Sequence, residues 1–244
     1  MDTTAVQAAL SRLGFAPGPV DGERGPKTKA AVIAFQKAAE LKPDGIVGPQ
    51  TIKALQAAVA EKAEPRTQAP ATGIVPAACM PTARLERIIF HWTAGNHKAS
   101  ATDRSHYHIL IEGDGNVVRG EHSIAANGIG ASGPRASHCL NMNTGSIGVS
   151  LCCMAGAIKS PFNPGLAPMT SVQWHTLADV LAELCRSYQI PVTPKTVLSH
   201  AEVEKNLGVR QRAKWDVSRL PFDPSLVGAQ ACGDAMRAMV EARV

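Results

Sequence analysis

The sequence predicts an α/β protein, with a mixed central sheet flanked by helices and a small N-terminal three-helix domain ahead of it. Three observations predict this. A glycine turn occurs twice, 23 residues apart, within residues 1–62, and a helical pattern follows each copy. Pro65, Pro70, Pro76 and Pro81 then crowd into residues 63–82, a semi-extended linker that packs no core. From residue 83 to 244, short apolar runs of strand length alternate with turn signals and one long amphipathic stretch.

Bulk properties bound the function. A chain of 244 residues holds one ordinary domain and a small one. No apolar run approaches the roughly 18–20 residues that cross a bilayer, so no stable membrane insertion is expected. Met1-Asp2-Thr3-Thr4 has neither a basic nor an apolar leader region. The protein is therefore expected to be made in the cytoplasm and to act outside only if something else releases it. A net charge of +5 suits an anionic partner, whether cell envelope or nucleic acid. Aromatic content of 4%, with no basic stripe interleaved with aromatics, argues against single-stranded nucleic acid. Cys79, Cys139, Cys152, Cys153, Cys185 and Cys232 form no Cys-x-x-Cys pair. Reduced, mostly buried thiols are the simplest reading, with one disulfide left open.

In the first domain, Val6, Leu10 and Leu13 mark a helix ending at Gly14. Asp21-Gly22-Glu23-Arg24-Gly25-Pro26-Lys27-Thr28 parallels Asp44-Gly45-Ile46-Val47-Gly48-Pro49-Gln50-Thr51. Asp-Gly makes a tight turn, and proline at the first helical position loses no needed hydrogen bond. Helices are expected after Pro26 and after Pro49. These elements, together with Phe35-Gln36, resemble the peptidoglycan-binding type 1 module. The resemblance implies a three-helix, non-catalytic binder of cell wall.

In the second domain, Arg87-Ile88-Ile89-Phe90-His91-Trp92 reads as a buried strand that Gly95 breaks. A polar loop follows, then a strand over residues 106–112, the turn Gly113-Asp114-Gly115-Asn116 and a return strand from Val117, which makes a hairpin. Residues 127–137 form a glycine-rich loop, and Ser146–Cys153 another buried strand. Thr170-Ser171-Val172-Gln173 is a capping box opening a helix with Leu177, Val180, Leu181 and Leu184 on one face. Residues 196–199 form a short strand pointing at His200, and a helix over roughly 225–241 closes the chain.

His91 and His200 directly follow apolar strand runs, which places both at one edge of a single sheet. A catalytic zinc takes three protein ligands and leaves one place for water. Asp216, in Lys214-Trp215-Asp216, is the best third ligand. On spacing alone, satisfied structural histidines remain the simpler reading, because no local zinc motif joins positions 109 residues apart. His138, Asn141 and Asn143, in the loop before Ser146, are either substrate contacts or solvated loop residues. The other histidines read as structural or surface.

Phe90-His91-Trp92-Thr93-Ala94, Tyr107–Ile111 with Asp114-Gly115-Asn116-Val117, Ser146-Ile147-Gly148-Val149, Ser199-His200-Ala201-Glu202-Val203 and Lys214-Trp215-Asp216 resemble, in order, the type 2 N-acetylmuramoyl-L-alanine amidases. That family has the peptidoglycan-recognition fold. The resemblance implies Zn2+ on His91, His200 and Asp216, with Tyr107 and Lys214 assisting catalysis. It also implies a zinc-activated water attacking the bond between N-acetylmuramic acid and L-alanine in peptidoglycan. Trp92 and Thr93 beside His91, with His138 and Asn143 of the loop before Ser146, are the substrate-binding candidates. One departure stands out. Some members carry a glutamate on the strand after Ser-Ile-Gly, where this chain has Val149-Ser150-Leu151-Cys152. The pairing of wall module and amidase resembles a phage endolysin, expected to work as a monomer. A non-catalytic peptidoglycan-recognition protein is the alternative, and a nucleic-acid binder a more distant one.

Overall fold

A computed structural model describes residues 1–39, 41–63 and 73–244. The chain divides into two compact units, Met1–Ala69 and Pro70–Val244.

The first unit holds α1 (Thr3–Arg12), α2 (Pro26–Ala38) and α3 (Pro49–Ala63). Asp2 caps α1, and Gly14, at φ 89°, turns the chain out of it. Pro26 and Pro49 open the other two helices, as the repeated turns predict. Val6, Leu10, Val32, Phe35 and Leu55 form the small core.

The two turns share a device that periodicity alone does not reveal. Gln7 Nε2 donates to Asp21 Oδ1 (2.9 Å), Glu23 O (3.0 Å) and Thr28 Oγ1 (3.1 Å), while its Oε1 accepts from Gly22 N–H (2.9 Å). Gln36 repeats this with Asp44 Oδ1 (3.0 Å), Ile46 O (3.0 Å), Thr51 Oγ1 (3.1 Å) and Gly45 N–H (2.8 Å). Each buried amide thus welds one Asp-Gly turn to the start of the next helix. Removing a buried partner leaves the others unsatisfied at about 1–3 kcal/mol each. Gln36→Leu is therefore expected to destabilise this unit by about 2–4 kcal/mol, enough to unfold so small a core. Thermal unfolding of residues 1–62, with and without the substitution, checks this.

The second unit is built on a five-stranded sheet of order β3-β2-β4-β1-β5. Its strands are β1 (Arg87–Trp92), β2 (Ile109–Ile111), β3 (Val117–Arg119), β4 (Ser146–Leu151) and β5 (Val197–Ser199). β1 pairs in parallel with β4 and β5, β2 in parallel with β4, and only β3 runs antiparallel, so the sheet is mixed as predicted. Side chains alternate across a strand. Ile88, Phe90 and Trp92 of β1, with Ile147, Val149 and Leu151 of β4, therefore join the large core. α5 (Ser171–Tyr188) and α7 (Ala229–Glu241) cover that face. The opposite face carries Ile89, His91, Gly148 and Ser150. Ile89 packs there with Leu198, Val203 and Cys139.

The capping box of α5 forms as the sequence indicates, with Thr170 Oγ1 accepting from Gln173 N–H (3.1 Å). Gln173 Nε2 also donates to Ile111 O (3.0 Å) and Cys152 O (2.9 Å), which fixes the helix to the ends of β2 and β4. Residues 73–82 of the proline-rich stretch lie on α5. Val75 is buried and its N–H donates to Glu183 Oε2 (3.0 Å), and Tyr188 Oη donates to Pro81 O (2.9 Å). Pro65 and Pro70 fall outside the described residues.

Two expectations are corrected. The strand expected over 106–112 is shorter, because α4 (Ala101–His106) occupies the preceding polar loop. Ser100 and Asp103 form a capping box that stabilises this short helix. The last helix begins at Ala229 rather than near 225. Residues 219–227 instead form a hairpin of β6 (Arg219–Leu220) and β7 (Asp223–Val227), and Gly228 at φ 104° makes the corner. Five of the six cysteines are buried, and all six are free thiols. No helix among the described residues is long and apolar enough to cross a membrane.

Candidate metal centre

Parallel pairing brings the two strand-end histidines together. Phe90 lies opposite Ser199, so the next residue of each strand, His91 and His200, are neighbours at the sheet edge. His91 is the fifth residue of β1 and points to the face away from α5. His200 begins α6 (His200–Leu207). Glu202 holds that helix start, accepting from Ser199 N–H (2.8 Å) and Ser199 Oγ–H (3.0 Å). Its other oxygen pairs with the buried Arg237 of α7 (2.8 Å).

Asp216 arrives on a turn rather than a regular element. Arg212, Ala213 and Val217 all have φ between 52° and 59°. Left-handed backbone is unfavourable for non-glycine residues, most of all for β-branched valine, and such strain collects at functional sites. Trp215 braces the turn edge-on against Trp92, with ring centroids 4.8 Å apart. Ser218 Oγ donates to Trp215 O (2.6 Å).

The three groups meet. His91 Nδ1 lies 3.0 Å from His200 Nδ1, and Asp216 Oδ2 lies 3.2 Å from each. All three residues are buried. Two imidazole nitrogens and a carboxylate oxygen are the donor set of catalytic zinc. Ligand atoms on a tetrahedral zinc at about 2.0–2.1 Å stand about 3.3 Å apart. The observed triangle fits that spacing, and a cation at its centre would be within reach of all three atoms at once.

Electrostatics agree. Burial holds the His91 imidazole down at about 4. Burial also opposes charge on His200, but the hydrogen bond and charge of Asp216 prevail and push it up to about 10. Burial would raise Asp216, yet hydrogen bonds from both histidines hold its carboxyl well below the usual range. At neutral pH the metal-free site therefore keeps His200 as the imidazolium, with one proton more than the neutral ring. Zinc must displace that proton. Apparent zinc affinity is expected to rise about tenfold per pH unit between pH 5 and 9 and to level off above about 10. Competition with a chromophoric chelator across that range checks this, and a flat profile contradicts it.

The other site residues from the sequence fall differently. The Tyr107 ring lies 5.1 Å from that of His91. Burial, then the Asp216 charge, pushes its phenol well above the ordinary value. Lys214 is exposed, and its charge contributes to lowering His91. Thr93 sits at the end of β1, half-buried, its Oγ1 accepting from Gly95 N–H (3.0 Å). Trp92 is a core residue packed on Trp215, so it supports the Asp216 turn from behind. Asn143 spends its Oδ1 on the N–H groups of His138 (3.1 Å) and Cys139 (2.9 Å) and braces its own loop. Asn141 is exposed at φ 57°. His138 is buried, its Nδ1 lying 3.2 Å from His91 Nε2, which places it beneath a candidate ligand rather than on an open surface. Ser150 stands beside His91 on β4.

Gln211 carries no signal in the sequence, lying among Arg210, Arg212 and Lys214. It is buried, and its Oε1 lies 2.9 Å from His200 Nε2. The first unit has a cleft of about 320 Å³ between its turns and helices, lined in part by Val6, Arg24, Lys29, Asp44 and Val47. Ile46 stands 64% exposed at this cleft.

Comparison with known proteins matches two family models to the chain. Residues 81–217 match the family model described as N-acetylmuramoyl-L-alanine amidase. Residues 2–55 match the one described as putative peptidoglycan binding domain. A 54-residue stretch is 43% identical to the N-acetylmuramoyl-L-alanine amidase CwlM of Mycobacterium tuberculosis, covering 22% of this chain and 13% of that protein. A 48-residue stretch is 54% identical to an uncharacterized protein of Kitasatospora aureofaciens, covering 19% of this chain and 41% of that one. The chain thus spans less than half the length of either relative. Among solved structures, the N-acetylmuramoyl-L-alanine amidase LysC from Clostridium intestinale is similar at 16% identity and a TM-score of 0.40, covering 65% of this chain and 87% of that one.

Proposed function

This chain belongs to the N-acetylmuramoyl-L-alanine amidase family, and from that premise we propose that it hydrolyses the amide between N-acetylmuramic acid and L-alanine in bacterial peptidoglycan, with zinc held by His91, His200 and Asp216. The observation that carries the reading is the buried triangle of two Nδ1 atoms and one carboxylate oxygen.

Zinc bound there supplies Lewis acidity, acidifying a water and polarising the amide carbonyl. The chain's own residues do the rest. His91 and His200 serve as neutral ligands, and Asp216 brings the single negative charge. Tyr107, with its phenol pushed up, keeps its proton across the neutral range and acts as a hydrogen-bond donor, not a base. β4 carries no carboxylate to act as a base, and Tyr107 donates its hydrogen bond to the attacking water or to the oxyanion. Lys214, on the strained turn two residues before Asp216, offers a cation to the oxyanion that forms as the carbonyl is attacked.

Residues 1–62 act as the wall anchor in this reading, with the cleft beside Ile46 as the contact. Tethering to an insoluble substrate raises the effective concentration of the enzyme. The combination suits a lytic enzyme of the endolysin type that reaches the wall after release from the cell. The reading is tested by digesting purified peptidoglycan with the full chain and labelling new amino termini. New alanine termini without new reducing sugars are expected, and a chelator should stop their release. A recognition protein without activity would bind the wall and release nothing.

A further inference from the structure

Both candidate histidine ligands point Nδ1 at the centre, and each Nε2 is engaged by a buried side chain from a different loop. For His200 that partner is Gln211, whose orientation is fixed. Its Nε2 donates to Leu140 O (2.9 Å) and Val209 O (3.2 Å), and its backbone N–H donates to Glu204 Oε2 (2.9 Å). With the amide nitrogen committed to carbonyls, Oε1 is what faces His200 Nε2 at 2.9 Å. An oxygen there requires Nε2 to carry a proton in either charge state, so Nδ1 is the nitrogen that gives its proton up to a metal. Cys139 Sγ donates to the same oxygen (3.4 Å).

For His91 the partner is His138, whose Nδ1 lies 3.2 Å from His91 Nε2. Asn143 anchors the His138 backbone. The ring fits only because residue 148 is glycine, since a Cβ there would stand 2.5 Å from His138 Cγ.

We propose that His138 and Gln211 are positioning residues that fix the Nε2–H tautomer of His91 and His200, so that both imidazoles present Nδ1 to one zinc ion. This rests on the metal-centre reading above and extends it to what orients the ligands. Histidine ligands usually back onto carboxylates or carbonyls, and losing such a partner costs about ten- to a hundredfold in metal affinity. Here the partners are a neutral imidazole and an amide, placed by loops with no local zinc motif.

The test uses the full chain and zinc alone, with affinity read by chelator competition. His138→Leu and Gln211→Met keep bulk but remove the acceptor, and each is expected to weaken zinc binding about ten- to a hundredfold. His138→Asn puts Oδ1 where Nδ1 was and should restore most of the loss, which ring packing alone would not do. If Asn behaves like Leu, His138 is no acceptor and the proposal fails for it. Zinc affinities of the Leu and Met variants equal to the parent's overturn it altogether. Should either variant fail to fold, ¹⁵N spectra of histidines in the zinc-loaded parent decide: coordination through Nδ1 with Nε2–H supports the proposal, and coordination through Nε2 ends it. If the parent itself binds no zinc, the failure belongs to the metal-centre reading instead.

Discussion

Replacing His200 with alanine is expected to lower amidase activity by about a thousandfold or more while wall binding is unchanged. The substitution removes one of three donors from a triangle with sides of 3.0–3.2 Å, leaving His91 and Asp216 to hold a cation alone. Lewis-acid stabilisation is worth several kcal/mol, and about 4 kcal/mol is about a thousandfold in rate. The fold should survive, because His200 is the first residue of α6 and Glu202 holds that helix start through Ser199. Binding should persist because the first unit has its own core. Alanine-terminus release and pelleting with insoluble peptidoglycan, measured on the same preparation, separate the two effects. Full lysis by the variant would sink the ligand assignment, and a thermal melt matching the parent's separates loss of the metal from misfolding of the second unit.

Lys214→Met is expected to lower kcat by about a hundredfold, with zinc content unchanged. One oxyanion donor is worth about 10²–10³ in kcat, and the lower end applies because Lys214 is solvent-exposed. Methionine keeps the length of the stem and removes only the charge. Asp216, two residues on, keeps its place through the Trp215–Trp92 contact. Steady-state kinetics on a soluble muropeptide, with metal analysis beside them, check this. A kcat near the parent's makes Lys214 a solvated neighbour of Arg210 and Arg212.

The fold was largely legible where the chain follows a period. The alternation of β1 put Ile88, Phe90 and Trp92 on the core face and left His91 on the other. Parallel pairing then closed a gap of 109 residues between His91 and His200. The proline-opened helices and the Thr170 capping box were readable because each is a local signal. What escaped was polar and tertiary. Gln211 is buried by its fit among Leu140, Val209 and His200, yet in sequence it sits among Arg210, Arg212 and Lys214 like any solvated residue. His138 looked like a loop residue facing substrate, and only Gly148 and Asn143 show it turned inward. Asp216 is only a weak candidate until the resemblance supports it, since a turn built from left-handed Arg212, Ala213 and Val217 has no periodic signature. The short helix α4 was hidden in a stretch whose composition reads as loop, although Ser100 and Asp103 have capping-box spacing.

In the proposed reaction, one metal ion at His91, His200 and Asp216 gives this chain its amidase activity. The decisive measurement strips the full chain with a chelator and titrates zinc back while counting new alanine amino groups from peptidoglycan. Activity should start near zero and climb linearly to a plateau at one zinc per chain. Alanine release by the stripped protein, before any zinc is added, would contradict it.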